Sequence, residues 1–250
     1  MKIDLNCDIG ESFGIYSLGR DEDIMPYISS ANIACGAHAG DPEVMKRTVG
    51  LAIKHGVSIG AHPGYPDLAG FGRREMSLTP EEIYSLVVYQ IGALAAFAKV
   101  EGGALHHVKP HGALYNQAAM SKEISRAIAT AVADVDPSLV LYGLAGSELI
   151  AAGKAVGLTT ANEVFADRTY APNGTLTPRR LPNALLTDAE AAADQVIRIV
   201  KHNAVQTTDG TDIQLEADTI CLHGDSEQAV AFARFIHRRL QAVGINIATV

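Results

Sequence analysis

The chain repeats one pattern: a short apolar run, a polar cluster, and then a stretch whose apolar residues recur with helical spacing. Most of the apolar runs are nearly continuous rather than alternating, which is typical of parallel strands that are covered on both faces. Strand–helix alternation along the whole length predicts an α/β fold, and seven such units without a domain break favour a single (β/α) barrel domain over residues 1–250. The predicted strands are Ile3–Cys7, Ala31–Cys35, Val57–Ala61, Ala104–Val108, Leu139–Leu144, Leu158–Val164 and Thr219–Leu222.

Local signals mark one helix start and two interruptions of this rhythm. Asp41 precedes a proline and predicts a helix N-cap with proline in the first turn. Val205–Leu215 carries Asp209-Gly210 between alternating residues, which predicts an inserted β-hairpin. The stretch from Asp167 to Pro182 is rich in Arg, Pro and Gly and too irregular for a helix. Because a loop of that length in a compact domain is often functional, it is a candidate functional loop.

Composition narrows the class of protein. The 250 residues are 48% hydrophobic and 19% charged, which allows a sizeable core and excludes wholesale disorder. Twenty basic residues stand against twenty-eight acidic ones, and the net charge of −8 argues against non-specific binding to nucleic acid or anionic membranes. No uninterrupted apolar stretch approaches the ~18 residues of a membrane span. The first strand begins too early to leave room for a signal peptide.

The three cysteines, Cys7, Cys35 and Cys221, form no paired motif. An odd count without C-x-x-C spacing argues against a disulfide framework and fits a reducing, cytoplasmic compartment. We expect all three thiols to be small buried hydrophobic groups rather than nucleophiles.

Polar residues follow the predicted strands at their C-terminal ends, where the active sites of such barrels form. Six of the nine histidines belong to these clusters, whereas surface histidines would scatter over helices. The concentration predicts that the clusters converge on one site. Its candidate members are Asn6, Asp8, Glu11, His38, Asp41, His62, Asp67, His106, His107, Lys109, His111, Glu163, Asp167, Arg168, His223 and Asp225.

Asp8, His38 and His62 come from three consecutive strand ends. Neighbouring strands would bring one carboxylate and two imidazoles together, a set that suits a divalent transition metal with open positions for water and substrate. The alternative is that these side chains hydrogen-bond to loop backbones or bind substrate without a metal.

The segment Lys109-Pro110-His111-Gly112 is suggestive of direct catalysis. A lysine at a strand end neutralises a developing oxyanion or phosphate, and a histidine moves protons near neutral pH. The alternative for Lys109 is a structural pair with a carboxylate across the barrel. Since His106 and His107 are adjacent on a strand, at most one of them is expected to face the barrel interior.

Two arginine pairs are candidate anion clamps, Arg73-Arg74 and Arg179-Arg180, with solvated surface as the alternative for each. Glu163 lies inside an apolar run, where an unpaired carboxylate would be costly. We therefore expect it to face the polar barrel mouth or to pair with an arginine.

Several of these residues lie in sequence blocks that, in order and spacing, resemble the family of 5-oxoprolinase A-subunits, formerly called LamB/YcsF. The resemblance covers nearly the whole chain. Two positions depart from the family pattern: Ala37, where an aromatic residue is expected, and Gly64, where serine is frequent. Both departures would alter the shape of the pocket more than its chemistry. The blocks are Asp4–Glu11, Asn32–Gly36, His38–Pro42, Gly60–Pro63, Tyr65–Asp67, Gly70–Arg74, Val108–Asn116, Glu163–Arg168 and His223–Asp225.

The resemblance implies a seven-stranded barrel of the glycoside hydrolase/deacetylase type. It also implies ATP-dependent opening of 5-oxo-L-proline to L-glutamate, in a complex with partner subunits B and C. ATP would be a co-substrate, yet no phosphate loop is visible, because Gly14–Gly19 has the glycine spacing but lacks the required Lys-Ser/Thr. The hypothesis therefore places phosphorylation of the amide oxygen partly on the partner subunits.

The implied chemistry gives the candidate residues roles. Asp8 or His62 would act as the base, Lys109 would stabilise the oxyanion, His111 would act as the acid, and an arginine would hold the substrate carboxylate. The residues expected to bind substrate are Asn6, Glu11, His38, Arg73, Glu163, Arg168, His223 and Asp225.

Two other interpretations stay open. Asp8, His38 and His62 would also suit a stand-alone metal-dependent deacetylase or amidohydrolase acting on an N-acetylated sugar or a lactam. The other interpretation is a non-enzymatic accessory protein that binds carbohydrate or lactam. The density of titratable groups, however, exceeds what binding alone usually needs. Self-association of the chain is undecided by the sequence.

Overall fold

Seven parallel strands close into a barrel in the computed structural model, which describes residues 1–178, 180–223 and 229–250, His223 by its backbone alone. Consecutive barrel strands are neighbours, and β9 pairs with both β6 and β1 and thereby closes the ring. All seven predicted strands are confirmed. The strands are β1 (Lys2–Ile9), β2 (Ser30–Ala34), β3 (Ser58–His62), β4 (Leu105–Val108), β5 (Val140–Leu144), β6 (Thr160–Phe165), β7 (Ala204–Gln206), β8 (Asp212–Gln214), β9 (Thr219–His223) and β10 (Asn246–Ile247).

Helices connect the strands on the outside of the barrel. Asp41 caps α2 as predicted, because its Oδ1 accepts hydrogen bonds from the backbone N–H groups of Glu43 and Val44. The helices are α1 (Asp21–Ile24), α2 (Pro42–His55), α3 (Pro80–Val100), α4 (Gly112–Met120), α5 (Lys122–Val135), α6 (Glu148–Ala155), α7 (Ala189–His202) and α8 (Ala229–Ala242), with a 3₁₀ turn at Met25–Tyr27.

Among the described helices, α3 alone is long and apolar enough to cross a membrane by length and composition. Its buried residues Ile83, Val87, Ile91 and Leu94 recur every three or four positions along one side of the helix. The helix packs against α5 and β3. Its apolar character is therefore that of a barrel helix whose inner side belongs to the core.

The main hydrophobic core lies between the strands and the helices, whereas the barrel interior contains many polar side chains beside a small apolar cluster of Val140, Tyr142 and Ala161. On β1, Leu5 and Cys7 are buried in the apolar cluster with the helices. The alternate residues Asp4, Asn6 and Asp8 form hydrogen bonds with side chains from other barrel strands. The strand therefore has one apolar and one polar face, which differs from the expectation of strands that are apolar on both faces.

A buried carboxylate organises the N-terminal end of the barrel. Asp4 accepts hydrogen bonds from the hydroxyls of Ser29, Ser30, Tyr142 and Thr219 at 2.6–3.0 Å. Four donors replace the water that an ionised carboxylate loses on burial. This end of the interior is consequently a satisfied structural layer.

The two predicted interruptions are present. Strands β7 and β8 form an antiparallel hairpin, with Val205 paired to Ile213, and the turn contains Asp209 and Gly210 as expected. The described residues between Asp167 and Pro182 contain turns and isolated bridges but no helix, also as predicted.

Candidate active site

Lys109 lies at the centre of the polar cluster at the C-terminal end of the barrel. Its side chain is 3% exposed, and its Nζ lies 2.9 Å from Asp8 Oδ1 and 2.8 Å from Glu163 Oε1. Burial by itself lowers the pKa of Lys109, but the carboxylate of Asp8, with Cys221 and Glu163, raises that pKa well above its ordinary value. The lysine is therefore a buried cation. Glu163 lies in the polar cluster at the barrel mouth, one of its two expected positions, and pairs there with this lysine rather than with an arginine.

The Cys221 thiol belongs to the same cluster. Lys109 Nζ donates a hydrogen bond to Cys221 Sγ over 3.0 Å. Burial raises the pKa of the thiol well above its usual value, so it is not a thiolate at neutral pH. Cys221 is buried as predicted, but it is a polar contact of Lys109 and not only a hydrophobic group. Cys221 stands two residues before His223 at the end of a predicted strand, and this position indicated that its thiol could reach the polar cluster.

Two side-chain amides hold the carboxylates in place. Asn32 Nδ2 donates to Asp8 Oδ1 at 2.8 Å and to Asn6 Oδ1 at 2.7 Å. Asn6 Nδ2 in turn donates to Glu163 Oε1 at 3.0 Å and to Thr219 Oγ1 at 2.7 Å. Asn6 is thus in the cluster as expected. The role of Asn32 was missed, although an asparagine inside an apolar strand was a signal for it.

His62 and His111 face each other through two nitrogens that carry no hydrogen when both rings are neutral. His62 Nδ1 donates to the carbonyl of Lys109 at 2.7 Å, so its Nε2 carries a lone pair. His111 Nε2 donates to the carbonyl of Phe71 at 2.9 Å, so its Nδ1 carries a lone pair. These two nitrogens are 3.0 Å apart. Two lone pairs at that distance repel unless a cation, either a proton on one ring or a metal ion, lies at them.

His38 lies against the same pair. Its ring stacks on the ring of His111 with a centroid distance of 3.7 Å and an interplanar angle of 0°. Neither ring nitrogen of His38 has a hydrogen-bond partner among the described residues, although both are buried. Burial, together with the neighbouring His111 and His62, lowers the pKa of His38 well below its usual value. His38 Nε2 lies 3.5 Å from Glu11 Oε1. A buried neutral imidazole without a hydrogen bond on either nitrogen is a ready ligand.

A metal ion fits this group of side chains. Ligand atoms of Glu11, His38, His62 and His111 all lie within 4.8 Å of one another, and all four residues are buried. Three imidazoles and one carboxylate are a donor set for Zn²⁺ or a related divalent transition metal. The group shares His38 and His62 with the predicted ligand set. Asp8 lies beside this group, with its Oδ2 3.4 Å from His62 Nε2, and its predicted role as a ligand stays a prediction.

The loop after β3 shapes the histidine cluster. Phe71 has a φ of +55°, a conformation that is unusual for a phenylalanine, and this conformation accompanies the hydrogen bond from His111 to its carbonyl. A Cβ atom on Gly72 would lie 2.8 Å from His38 Cβ, and one on Gly64 would lie 2.6 Å from His38 Nδ1. Glycine at position 64 therefore leaves space for His38, and a serine there would require the imidazole to shift.

The candidate arginines have different surroundings. Arg73 is exposed, lies 4.9 Å from the centre of the Phe71 ring, and is close enough to lower the pKa of His38 and His111. It remains at the mouth of the site. Arg74 instead pairs with Asp67, which removes it from the predicted clamp. In the other pair, Arg180 is exposed and Arg179 lies outside the described residues.

Arg168 is buried and organises the irregular segment that follows β6. Its guanidinium donates to the backbone carbonyls of Thr177 and Ala184. These bonds fold the loop back onto the end of the strand, so part of the guanidinium has a structural task. This does not decide whether Arg168 also contacts substrate, which stays a prediction.

Strand β9, the seventh strand of the barrel, also ends at the C-terminal face that carries the polar cluster. In the register of β1 and β9, His223 is opposite Asp8. The backbone of His223 thus lies at the level of the cluster, but its side chain and all of Asp225 lie outside the described residues. The substrate-binding roles expected for both residues remain predictions.

The chain matches known proteins over its full length. The LamB/YcsF family model covers residues 3–250. The A-subunit of 5-oxoprolinase from Geobacillus thermodenitrificans is 65% identical over 98% of this chain and 95% of its own. That of Bacillus subtilis is 59% identical over 100% of this chain and 97% of its own.

Solved structures agree with this match. A lactam utilization protein from Thermus thermophilus superposes with a TM-score of 0.95 at 47% identity, covering 100% of both chains. A candidate cellobiose-phosphate cleavage protein of Enterococcus faecalis has a TM-score of 0.61 at 13% identity over 99% of this chain and 97% of its own, so only the fold is shared. Because the family match runs through every barrel strand and all the site residues described above, this chain belongs to the LamB/YcsF family.

Proposed function

We propose that this chain is the lactam-hydrolysing component of an ATP-dependent 5-oxoprolinase, which opens 5-oxo-L-proline to L-glutamate. Relatives named as the A-subunit of 5-oxoprolinase and a lactam utilization protein support a role in lactam metabolism. The observation that carries the proposal is the buried Lys109 cation between Asp8 and Glu163, next to the facing nitrogens of His62 and His111. Amide hydrolysis needs both a fixed positive charge and groups that transfer protons.

The reaction distributes these tasks over the cluster. A lactam amide is stabilised by resonance, and transfer of the γ-phosphoryl group of ATP to the amide oxygen would activate its carbon. Asp8 or His62 would take a proton from the attacking water, and Lys109 would stabilise the negative charge that develops on oxygen. The ring carbon–nitrogen bond then breaks, His111 delivers a proton to the leaving nitrogen, and the product is an acyl phosphate. A second water attacks the acyl carbon, the bond from that carbon to the phosphate oxygen breaks, and phosphate leaves the carboxylate of glutamate.

Other chains would supply the nucleotide chemistry. The sequence contains no phosphate loop, and the name of the relatives describes one component of a larger enzyme. We therefore assign ATP activation to a complex with partner subunits B and C. In this proposal the 250 residues work as one barrel domain in the cytoplasm, and Arg73 at the mouth attracts the substrate carboxylate.

A metal ion would be held by Glu11, His38, His62 and His111. When bound, a divalent metal acts as a Lewis acid that polarises a carbonyl oxygen. This group motivates a second candidate function, a stand-alone metal-dependent amidohydrolase that opens the lactam without ATP.

Glutamate release from 5-oxoproline tests both candidates. The chain alone and the chain with its B and C partners are assayed with and without ATP, and Lys109→Met serves as the inactive control. Turnover that requires ATP and partners supports the oxoprolinase. Turnover by the chain alone without ATP, abolished by a chelator, would replace it with the amidohydrolase. Turnover by the chain alone with ATP would contradict the assignment of ATP activation to the partners.

A further inference from the structure

We infer that His107, which belongs to none of the proposed catalytic or ligand groups, is a positioning residue that fixes the orientation of Asp8 through the side-chain amide of Asn32. Its ring reaches the barrel interior from β4, and His107 Nε2 lies 2.8 Å from Asn32 Oδ1. The kinetic part of this inference rests on the proposed function. The geometric part does not.

The direction of every hydrogen bond in this chain of side chains can be deduced from the carboxylates. Asp8 and Glu163 only accept when ionised, so the nitrogen of Asn32 faces Asp8 and the nitrogen of Asn6 faces Glu163. Asn32 Nδ2 also donates to Asn6 Oδ1, which leaves Asn32 Oδ1 as an acceptor. Its partner His107 must therefore donate, which requires the neutral tautomer with hydrogen on Nε2.

The ring of His107 is confined to the position that this bond needs. Tyr142 stacks on it with ring centroids 4.2 Å apart. A Cβ atom on Gly60 would lie 2.0 Å from His107 Nε2, so only glycine leaves room for the ring at that point of β3. His106 Nδ1 lies 3.4 Å from His107 Nδ1, and the lone pair on His107 Nδ1 can accept a hydrogen from it. Three neighbours thus set the place and the tautomer of one imidazole.

Burial keeps this imidazole neutral. The pKa of His107 lies well below its usual value because of desolvation, with further contributions from His106 and Lys109. A protonated ring would place a second buried cation near Lys109. Because it stays neutral, His107 acts on Asp8 through hydrogen-bond geometry rather than through charge.

Loss of the His107 hydrogen bond would leave Asn32 Oδ1 buried without a donor, which is costly. The amide would shift towards another donor, and its Nδ2 would move out of line with Asp8 Oδ1, which now accepts from both Asn32 and Lys109. With one of its two donors weakened, the carboxylate would no longer be held in its present orientation towards Lys109 and His62 Nε2, which lies 3.4 Å from Asp8 Oδ2. The result would be an intact barrel with a misoriented Asp8.

The first test reads the tautomer and needs no activity. In the full-length chain labelled with ¹⁵N-histidine, two-bond nitrogen–carbon-hydrogen NMR correlations distinguish the tautomers, and His107→Gln assigns the resonance. We expect His107 with hydrogen on Nε2, bare Nδ1, and no titration between about pH 5.5 and 8.5, since its pKa is far below the usual 6.5. Hydrogen on Nδ1 instead, or titration in this range, would overturn the inference.

The second test is kinetic and uses the assembled enzyme. In His107→Phe the ring is kept and the donor is lost, so kcat should fall by about 10–100-fold, as for other residues that orient a catalytic group, while KM changes by less than about threefold. His107→Gln restores a donor at a similar place and should retain kcat within about threefold. Gly60→Ala displaces the ring without changing it and should resemble His107→Phe.

The matched control is His202→Phe, the same substitution at an exposed histidine of α7. It leaves the contact between His107 and Asn32 intact and should keep kcat within about threefold of the parent. Melting temperatures identify variants that fail to fold. If His107→Phe and Gly60→Ala fail to fold, the comparison of kcat between His107→Gln and the parent remains informative. Unchanged kcat in His107→Phe, or equal losses in His107→Phe and His107→Gln, would overturn the positioning role. Absence of turnover in the parent complex would instead overturn the proposed function, and the tautomer measurement would still decide the geometry.

Discussion

Lys109 keeps a positive charge inside the barrel because protein groups replace its water. The two carboxylates of Asp8 and Glu163 lie within 2.9 Å of its ammonium nitrogen, and Cys221 and Asn6 supply weaker contacts. Such buried pairs contribute little net stability, since desolvation offsets most of the attraction. Their value here is a fixed charge at a known point, which is what stabilisation of a developing oxyanion requires.

Lys109→Met should remove turnover and lower the free energy of unfolding by about 3–5 kcal/mol, because it leaves two carboxylates buried without their cation. Urea unfolding of the purified chain measures the loss. The double variant Lys109→Met/Glu163→Gln removes one of the two orphaned charges and should recover part of the stability but none of the activity. A single variant as stable as the parent would show that these carboxylates do not depend on Lys109.

His38 gives a test of the metal-binding group. At a metal concentration about 100 times its dissociation constant, binding to the folded chain alone raises the unfolding free energy by about 2.7 kcal/mol. We expect Zn²⁺ to stabilise the parent chain in this way and a chelator to reverse it. His38→Ala should lose the stabilisation, whereas the exposed control His202→Ala should keep it. Equal stabilisation of both variants would place the metal elsewhere.

At the scale of elements, barrel strands such as β1 contribute an apolar outer face and a polar inner one. The outer face made the seven strands predictable, because runs such as Val57–Ala61 stand out between helical stretches. Convergence of the polar strand ends followed from the barrel alone. The hydrogen-bond partners of Glu163, Asn32 and Cys221 could not be predicted in this way. They depend on which inward-facing residues lie at the same height in the barrel. That height is set by strand register, which no local pattern contains.

Asp41 joins two elements, and its two tasks can be separated. Its Oδ1 caps α2, while its Oδ2 accepts a 2.6 Å hydrogen bond from the backbone N–H of Gly14 in the exposed turn after β1. Asp41→Ser keeps a good cap but is too short to reach Gly14, so unfolding free energy should change by less than about 0.5 kcal/mol. Asp41→Ala should cost about 1 kcal/mol in urea unfolding.

Limited proteolysis reports the second task of Asp41. Tyr16 is 76% exposed in this turn, and chymotrypsin cuts after tyrosine in flexible segments. Both Asp41 variants should be cleaved there faster than the parent, although only Asp41→Ala is less stable. An unchanged cleavage rate in Asp41→Ser would show that the turn does not need the aspartate.

At the scale of the whole molecule, the barrel interior holds polar groups at both ends, Asp4 at the N-terminal end and the histidine cluster at the other. Such an interior is stable only while each group keeps the protonation state for which its partners are arranged. His38, His107 and His111 are all buried with pKa values below the usual range. The stability of the fold is therefore coupled to pH through its active-site end.

The free energy of unfolding should fall as the pH drops below about 6.5, the ordinary histidine pKa. Below that value the unfolded chain binds protons that the folded chain excludes, and each such histidine contributes a slope of about 1.4 kcal/mol per pH unit. For His111, burial and the neighbouring His62 lower the pKa to about 3, so its contribution is lost progressively between the two values. Urea unfolding in the presence of a chelator, at about pH 7.5, 6.5 and 5.5, measures this slope. For His107→Gln, the slope of unfolding free energy against pH should be smaller by the contribution of one histidine. The variant lacks one group that binds a proton in the unfolded chain but not in the folded one. Equal stability at the highest and lowest of these pH values would mean that these histidines accept protons inside the barrel, and the neutral state described above for His38 and His107 would be wrong.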